Sequence, residues 1–353
     1  MGIIDRYIAG HVIKGSFAAL LVLAGLSGFF AYMSELGDVR GLYTSSKAAL
    51  YVLFTLPRQL YELFPTAVLI GSLISLGSLA AHSELIVLRV SGLSQFRISL
   101  SVLKGGLVLM VCAFIIGEFI APPSEQYAQQ VRAVTAHGNL TLQSDDALWV
   151  RYKNQVVHVE NILVGDRLQK LEIYQFDDGM ELKQITRASE AKFQSGKWHL
   201  SDVSLNRIGM SGIQSEQQKE MVWDELFDPD VLDVLTVEPE YLSFWSLYEY
   251  IEYVEENGQD SEQYRHAFWV KLITPFTTLV MLLVAMPFVF GSLRSSGTGK
   301  RMFIGIVLGL VFYLINKTFN RAGLAYDLYP LLSAALPTLL FAAGSIWALR
   351  RQP

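Results

Sequence analysis

Four windows of this chain contain no Asp, Glu, Lys or Arg: Gly15 to Ser34, Leu63 to Ala81, Leu272 to Leu293 and Leu328 to Leu349. Each is close to the roughly 20 apolar residues that a helix needs to cross the hydrocarbon core of a bilayer. In that solvent every backbone N–H and C=O must be bonded within the segment, so each window is restricted to a membrane-spanning α-helix. Two shorter windows, Gly105 to Gly117 between Lys104 and Glu118 and Met302 to Asn316 between Arg301 and Lys317, reach the same length once their flanking charges extend to the interface. The expectation is six spans, three on either side of a long polar middle. The first window is longer than a signal-peptide core and no small-residue cleavage site follows it, so it reads as an uncleaved signal anchor.

Charge divides along the same lines. Residues 118–265 hold 27 Asp/Glu against 12 Lys/Arg, and the rest of the chain holds 6 against 16, so a net charge of -5 conceals a middle at -15 and two ends that total +10. Charged residues are only 17% of the chain, below the roughly 25% of soluble domains. If the N-terminus is cytoplasmic, one face collects Arg6, Lys14, Arg89, Arg97, Lys104, Arg294, Lys300, Arg301, Arg350 and Arg351, against Arg40, Lys47, Lys317, Arg321 and Arg58 on the other. The excess of Lys and Arg marks the cytoplasmic side. Both termini are therefore expected there, with the acidic middle outside the membrane on the far side. The single cysteine, Cys112, excludes an internal disulfide and a multi-cysteine metal site.

Within the middle, residues 140–225 alternate with a period of two between turn signals, the pattern of half-buried strands. Ala147 to Tyr152 and Gln155 to Val159 flank a tight turn at Lys153-Asn154, Leu168 to Phe176 runs into Asp177-Asp178-Gly179, and Leu182 to Ala188 follows. Ala191 to Phe193 and Trp198 to Leu200 flank Ser195-Gly196. An all-β sandwich or jelly-roll-like module is expected, either as a rigid cap or as a surface with a slot or edge for a partner. Tyr241 to Glu256 reads as a helix with Leu247, Tyr248, Ile251 and Val254 on one face, and Asp260 or Ser261 caps the next helix, which Pro275 and Pro287 bend. The domain plan is thus residues 1–121 with three spans, 122–240 with the β module, 241–264 as a helical connector and 265–353 with three more spans.

Self-contained chemistry is not expected. Gly297-Thr298-Gly299-Lys300-Arg301 lacks the first glycine and the Ser/Thr of a phosphate loop, with Arg294 and Arg301 in those places. No Gly-x-Ser-x-Gly elbow occurs, and the six histidines, His158 and His199 in strands among them, form no zinc motif. The spans carry no mid-membrane Asp/Glu/His relay of the kind ion-coupled carriers use. If something is moved, a partner supplies the energy.

One loop carries more information. His82 to Arg97 contains Ser83 as an N-cap, Glu84 in the first turn, Leu85, Leu88 and Arg89 along a short amphipathic helix, and Gly92 as its stop. It reads either as an interfacial connector or as a peg for a cytoplasmic protein, with Glu84 free to meet a partner's arginine. Gly305 and Gly309 form a Gly-x-x-x-Gly on the fifth span, where another backbone can approach closely, from the same subunit or from another.

The block Ser83-Glu84-Leu85-Ile86-Val87 to Ser91-Gly92 resembles the coupling helix of the LptF/LptG (YjgP/YjgQ) lipopolysaccharide-export permease family. Asp5-Arg6-Tyr7-Ile8, Gly117-Glu118-Phe119-Ile120-Ala121-Pro122, Gly258-Gln259-Asp260 and Phe290-Gly291-Ser292-Leu293-Arg294-Ser295 extend the resemblance over the whole chain, the last two leaning to its LptG branch. The resemblance implies a Gram-negative inner-membrane protein, non-catalytic, paired with an LptF-like permease around a cavity. An LptB-like ATPase dimer binds the ATP and Mg, an LptC-like bitopic protein joins outside, and an LptA-like bridge receives lipopolysaccharide. No cofactor, metal or nucleic acid is expected on this chain; membrane lipids are. Residues 82–96 would be the coupling helix, with Glu84, Leu85, Leu88, Arg89 and Gly92 at the ATPase contact. Phosphates favour Arg and Lys, so Arg40, Arg58, Arg132, Lys317 and Arg321 are expected to form a basic rim. Phe29, Phe30, Tyr32, Met33, Phe312 and Tyr313 are expected to form an acyl-facing wall, and the first and fifth spans the seams between permeases. Ala31 and Gln129 stand where family members commonly have a lysine and an arginine. Two readings of other classes remain open, a periplasmic receptor or scaffold signalling through the Glu84 loop, and a secondary transporter.

Overall fold

The structure is a computed structural model that describes residues 2–39, 43–136, 141–142, 148–152, 154–163, 167–177, 179, 181–194, 197–209, 212–223, 239–256, 260–290, 298–326 and 328–351. Six of its helices are long and apolar enough to cross a bilayer. α1 (Ile3–Glu35) and α2 (Ser45–Ala81) are the first two spans, and the short α3 (Glu84–Val90) leads to the third. That third span is one rod, α4 (Gln95–Ile115) passing through a π-turn at Ile116–Ile120 into α5 (Ala121–Ala136). After the sheet come α6 (Phe244–Glu256), then α7 (Glu262–Phe290), α8 (Thr298–Ala325) and α9 (Pro330–Arg350) as spans four to six. Three crossings on each side of the sheet put both chain termini at one end of the bundle and the sheet at the other.

α2 is the hub. Of its most apolar stretch 72% is buried, against 11% for α1 and 17% for α8, so the two helices that flank it leave most of their surface uncovered. Lipid tails are as apolar as leucine and give no hydrophobic drive between spans, so close approach at small residues holds the helices together. Gly15 and Gly71 show this directly: a Cβ on Gly71 would lie 2.4 Å from the Gly15 carbonyl oxygen. Ile8, Val12, Phe64, Leu69, Leu73, Ile98, Leu109 and Met281 fill the core around that crossing.

The strands are β1 (Thr141–Leu142), β2 (Leu148–Tyr152), β3 (Gln155–Leu163), β4 (Arg167–Phe176), β5 (Leu182–Gln194), β6 (Lys197–Gly209) and β7 (Gly212–Trp223). All pair antiparallel in the order β1-β3-β4-β5-β6-β7, with β2 on the same edge of β3 as β1. The jelly-roll-like module is therefore a single meander among the described residues. One face carries Val157, Leu168, Ile173, Trp198, Leu200 and Leu205, all essentially unexposed, so the sheet curls over its own apolar face.

Four details differ from expectation. The third span stays helical to Ala136, so the domain boundary expected at 122 falls inside a helix, while the described strands begin at Thr141, where the two-residue alternation starts; a π-turn immediately precedes Pro122 and Pro123, which have no N–H to give to the turn before them. The two short runs expected at 182–193 are one bulged strand, β5. β7 was not anticipated, because an edge strand exposed over most of its length, with Met221 and Trp223 turned inward at its end, has no alternating hydrophobicity to read. In α6 the buried residues are Leu247, Tyr250 and Val254, and Tyr248 faces outward. Both carboxylate oxygens of Glu118, on the π-turn, accept from the Phe244 N–H at 2.9 Å, so the third span holds the N-terminus of α6. Gly258-Gln259 and residues 291–297, which contributed to the family resemblance, lie outside the described residues.

Candidate functional site

α3 is a bracket at the termini end. Its seven residues follow Ser83, whose φ of 62° is left-handed and whose carbonyl accepts from Ile86 and Val87 at 3.0 Å. The Ser83 side chain makes no cap bond, so the expected hydroxyl N-cap is replaced by a backbone turn. Gly92 ends the bracket with φ 95°, a conformation that a Cβ would strain. The next helix then begins at Gln95 under a true cap, Ser94 Oγ accepting from Arg97 N at 3.2 Å, so within the segment 82–96 the short helix spans 84–90, starting at Glu84 as expected.

Leu85 is buried in the bundle core with Leu88 packed against it, while Val87, Arg89 and Val90 point outward. Beside them opens a cavity of about 330 Å³, between Leu85, Ile86, Arg89 and Val90 of α3, Ala80 of α2 and Val289 and Phe290 of α7. A socket with apolar walls and one cation at its lip, on a helix seven residues long, suits a side chain of a docked protein better than a soluble substrate. Glu84 is half exposed, and its Oε2 accepts from the Tyr7 hydroxyl at 2.7 Å. Sequence reasoning did not anticipate Tyr7, because 77 residues separate the pair.

The expected basic rim divides into two parts. Arg58 is gripped by Glu62 at 2.8 Å and by the fully buried Glu125 at 3.0 Å, with its guanidinium 4.4 Å from the centre of the Tyr241 ring. Arg132 contacts Asp38 at 3.0 Å, Glu35 at 3.3 Å and the Tyr51 hydroxyl at 3.5 Å. Tyr43 donates to the same Glu35 at 2.7 Å, and burial, with Glu35 behind it, raises its phenol above the ordinary value, so it stays a donor. Two guanidiniums among four carboxylates are satisfied within the chain. They tie α1, α2 and α5 together at the sheet end, and a phosphate approaching them would meet net negative charge. A hidden partner of this kind leaves no trace in local sequence, since Glu125 is 67 residues from Arg58.

Lys317 and Arg321 are different. They lie on α8 four residues apart and are exposed, with Tyr313 one turn earlier on the same stripe. Lys317 Nζ donates to the Tyr313 hydroxyl at 3.2 Å, and Arg321 has no ion-pair partner among the described residues. Arg40 lies outside the described residues.

The wall residues also separate. Phe29, Phe30 and Met33 are more than half exposed, Tyr32 is half buried, and Tyr313 is exposed. Phe312 is not wall: it is 5% exposed and packs edge-on to Phe341 at 5.1 Å, because its side of α8 faces α9. Between Leu20 and Glu35, α1 has no buried residue at all. Gly305 and Gly309 lie against α2 of the same chain, where added Cβ atoms would meet Leu73 at 3.1 Å and Thr66 at 2.6 Å. Any contact with a second permease along α8 would use its other faces.

Comparison with known proteins finds matches over nearly the whole chain. The family model described as "Lipopolysaccharide export system permease LptF/LptG" matches residues 6–351. The "Lipopolysaccharide export system permease protein LptG" of Escherichia coli (strain K12) is 33% identical over 355 residues, 99% of each chain. The protein of the same description from Haemophilus influenzae (strain ATCC 51907 / DSM 11121 / KW20 / Rd) is 33% identical over 352 residues, 99% of this chain and 98% of that one.

Proposed function

Because this chain belongs to the LptF/LptG family of lipopolysaccharide export permeases, we propose that it forms the LptG-like half of a two-permease channel in the inner membrane, driven by a separate ATPase. The termini end and α3 face the cytoplasm, where Leu85 anchors the bracket and Glu84, Val87, Arg89 and Val90 meet the ATPase, which holds the ATP and Mg. The sheet end faces the periplasm, where an LptC-like protein and an LptA-like bridge take the lipid onward.

The observation that carries this reading is the uneven covering of the spans. α1 and α8 leave apolar surface open on both sides of the central α2, as a helix must if a second permease and a lipid are to lie against it. In the channel, acyl chains lie along Phe29, Phe30 and Met33 on the upper half of α1, and phosphates meet the cations Lys317 and Arg321 of α8. A guanidinium or ammonium without a competing carboxylate forms the stronger charge-assisted bonds to phosphate, which assigns the role to α8 and withdraws it from Arg58 and Arg132. Extraction then needs no bond chemistry from this chain, only an affinity for the lipid that changes as the helices move.

The test is lipopolysaccharide release by the assembled complex. Replacing both Lys317 and Arg321 by Glu is expected to slow release at least tenfold while the complex still forms and hydrolyses ATP. Release at the parent rate would refute the phosphate site, and failure to co-purify an ATPase with the parent chain would refute the partner-driven reading.

A further inference from the structure

The Tyr7–Glu84 bond joins the bracket to the foot of the first span. The buried residues of α1 are Asp5, Ile8, Ala9, Val12, Ser16 and Leu20, and then none before Glu35. Its lower part is bolted. Asp5, 2% exposed, accepts from Ser101 Oγ at 2.6 Å, Lys104 Nζ at 2.5 Å and Arg97 at 3.4 Å, all on α4. Above it, Gly15 meets Gly71 backbone to backbone, the point where α1 and α2 come closest among the glycine contacts.

Glu84 is placed to act on the foot of α1. Oε2 holds Tyr7, while Oε1 has no partner among the described residues and remains open to a cation from outside the chain. One carboxylate thus joins the docking face of α3 to the foot of α1, which Asp5 ties on to α4.

We propose that Tyr7 is the coupling link of this permease: its hydroxyl, bound to Glu84, transmits displacement of α3 to the foot of α1 and, through the Asp5 contacts, to α4. Tyr7 is a positioning residue, acting on the lipid only through Glu84 and α1. The link rests on the ATPase-docking reading of α3. Tyr7 is 45% exposed, so loss of its hydroxyl is expected to leave the bundle intact.

The experiment compares Tyr7→Phe and Glu84→Ala in the full complex, reading complex yield, melting temperature, ATP hydrolysis and lipopolysaccharide released per ATP. For Tyr7→Phe the expected result is unchanged yield and melting, hydrolysis within about twofold of the parent, and release per ATP lowered at least fivefold. Parent-like release per ATP overturns the link, as does a loss of release matched by an equal loss of melting temperature or yield, which is the signature of a purely structural bond. If Glu84→Ala is defective and Tyr7→Phe is silent, only the link falls. If Glu84→Ala is silent as well, the docking role of α3 falls with it.

Discussion

Replacing Gly71 by alanine is a single-methyl test of how the bundle is held together. The new Cβ would lie 2.4 Å from the carbonyl oxygen of Gly15 and 2.5 Å from its carbonyl carbon and from Ser16 Cα, all backbone atoms that no rotamer change can move. Restoring an ordinary contact of about 3.4 Å requires α1 and α2 to part by about 1 Å, a gap that forfeits a quarter to a half of the dispersion energy of each facing atom pair. Overpacking a close-packed site costs about 1–3 kcal/mol, and backbone against backbone belongs at the upper end. At about 3 kcal/mol the ratio of folded to unfolded protein falls roughly a hundredfold, as 1.4 kcal/mol is a factor of ten. The assay is unfolding of the purified complex in detergent, by heat or graded denaturant, beside Gly25→Ala as control. Gly25 is on α1, the other helix of the pair, with nothing within 4 Å of an added Cβ, so its change stays within about 0.5 kcal/mol. Equal stability of the two variants would refute the claim that contact at Gly15–Gly71 holds α1 to α2.

Three further outcomes are expected. Arg58→Gln strands the carboxylate of Glu125, 1% exposed, and should cost about 3–5 kcal/mol in the same unfolding assay; adding Glu125→Gln should restore part of it, and an additive double mutant would show that the pair is not coupled. In the β module, the Tyr174 hydroxyl, followed by Arg187, holds the carboxyl of Glu172 below its ordinary 4.5. A depressed folded value means that its contribution is complete above pH 4.5 and is lost as pH falls through the lower one, so Glu172→Gln should flatten the acid limb of the melting profile, and an unaltered limb counts against it. A cysteine placed at the exposed turn residue Asn154 should react with an impermeant thiol reagent added outside intact cells stripped of their outer membrane; labelling only in inverted vesicles would reverse the orientation.

Much of this architecture was legible in order of residues. Long charge-free windows leave the backbone one way to bond itself in lipid, so the six spans follow from local composition. Strand alternation in β3 to β6 and the stop at Gly92 are local in the same sense. β7 was invisible because most of its length meets water on both faces, and Ser83 misled because a hydroxyl that can cap a helix competes with a left-handed turn that needs no side chain at all.

The candidate site divides similarly. That residues 84–90 form an exposed bracket, and that cations gather near the span ends, were read from the sequence by itself. Which cations are paired within the chain was decided only by the tertiary structure, because a charge is neutralised by whatever lies within a few ångströms, however remote in the chain: Glu125 and Glu35 pair with Arg58 and Arg132, and no such carboxylate reaches Arg321 among the described residues. Phe312 and Tyr313 are neighbours in sequence, and helical rotation alone puts one in the core and the other on the open face. Periodicity and composition are properties of the chain; partnership across 67 or 77 residues is a property of the fold.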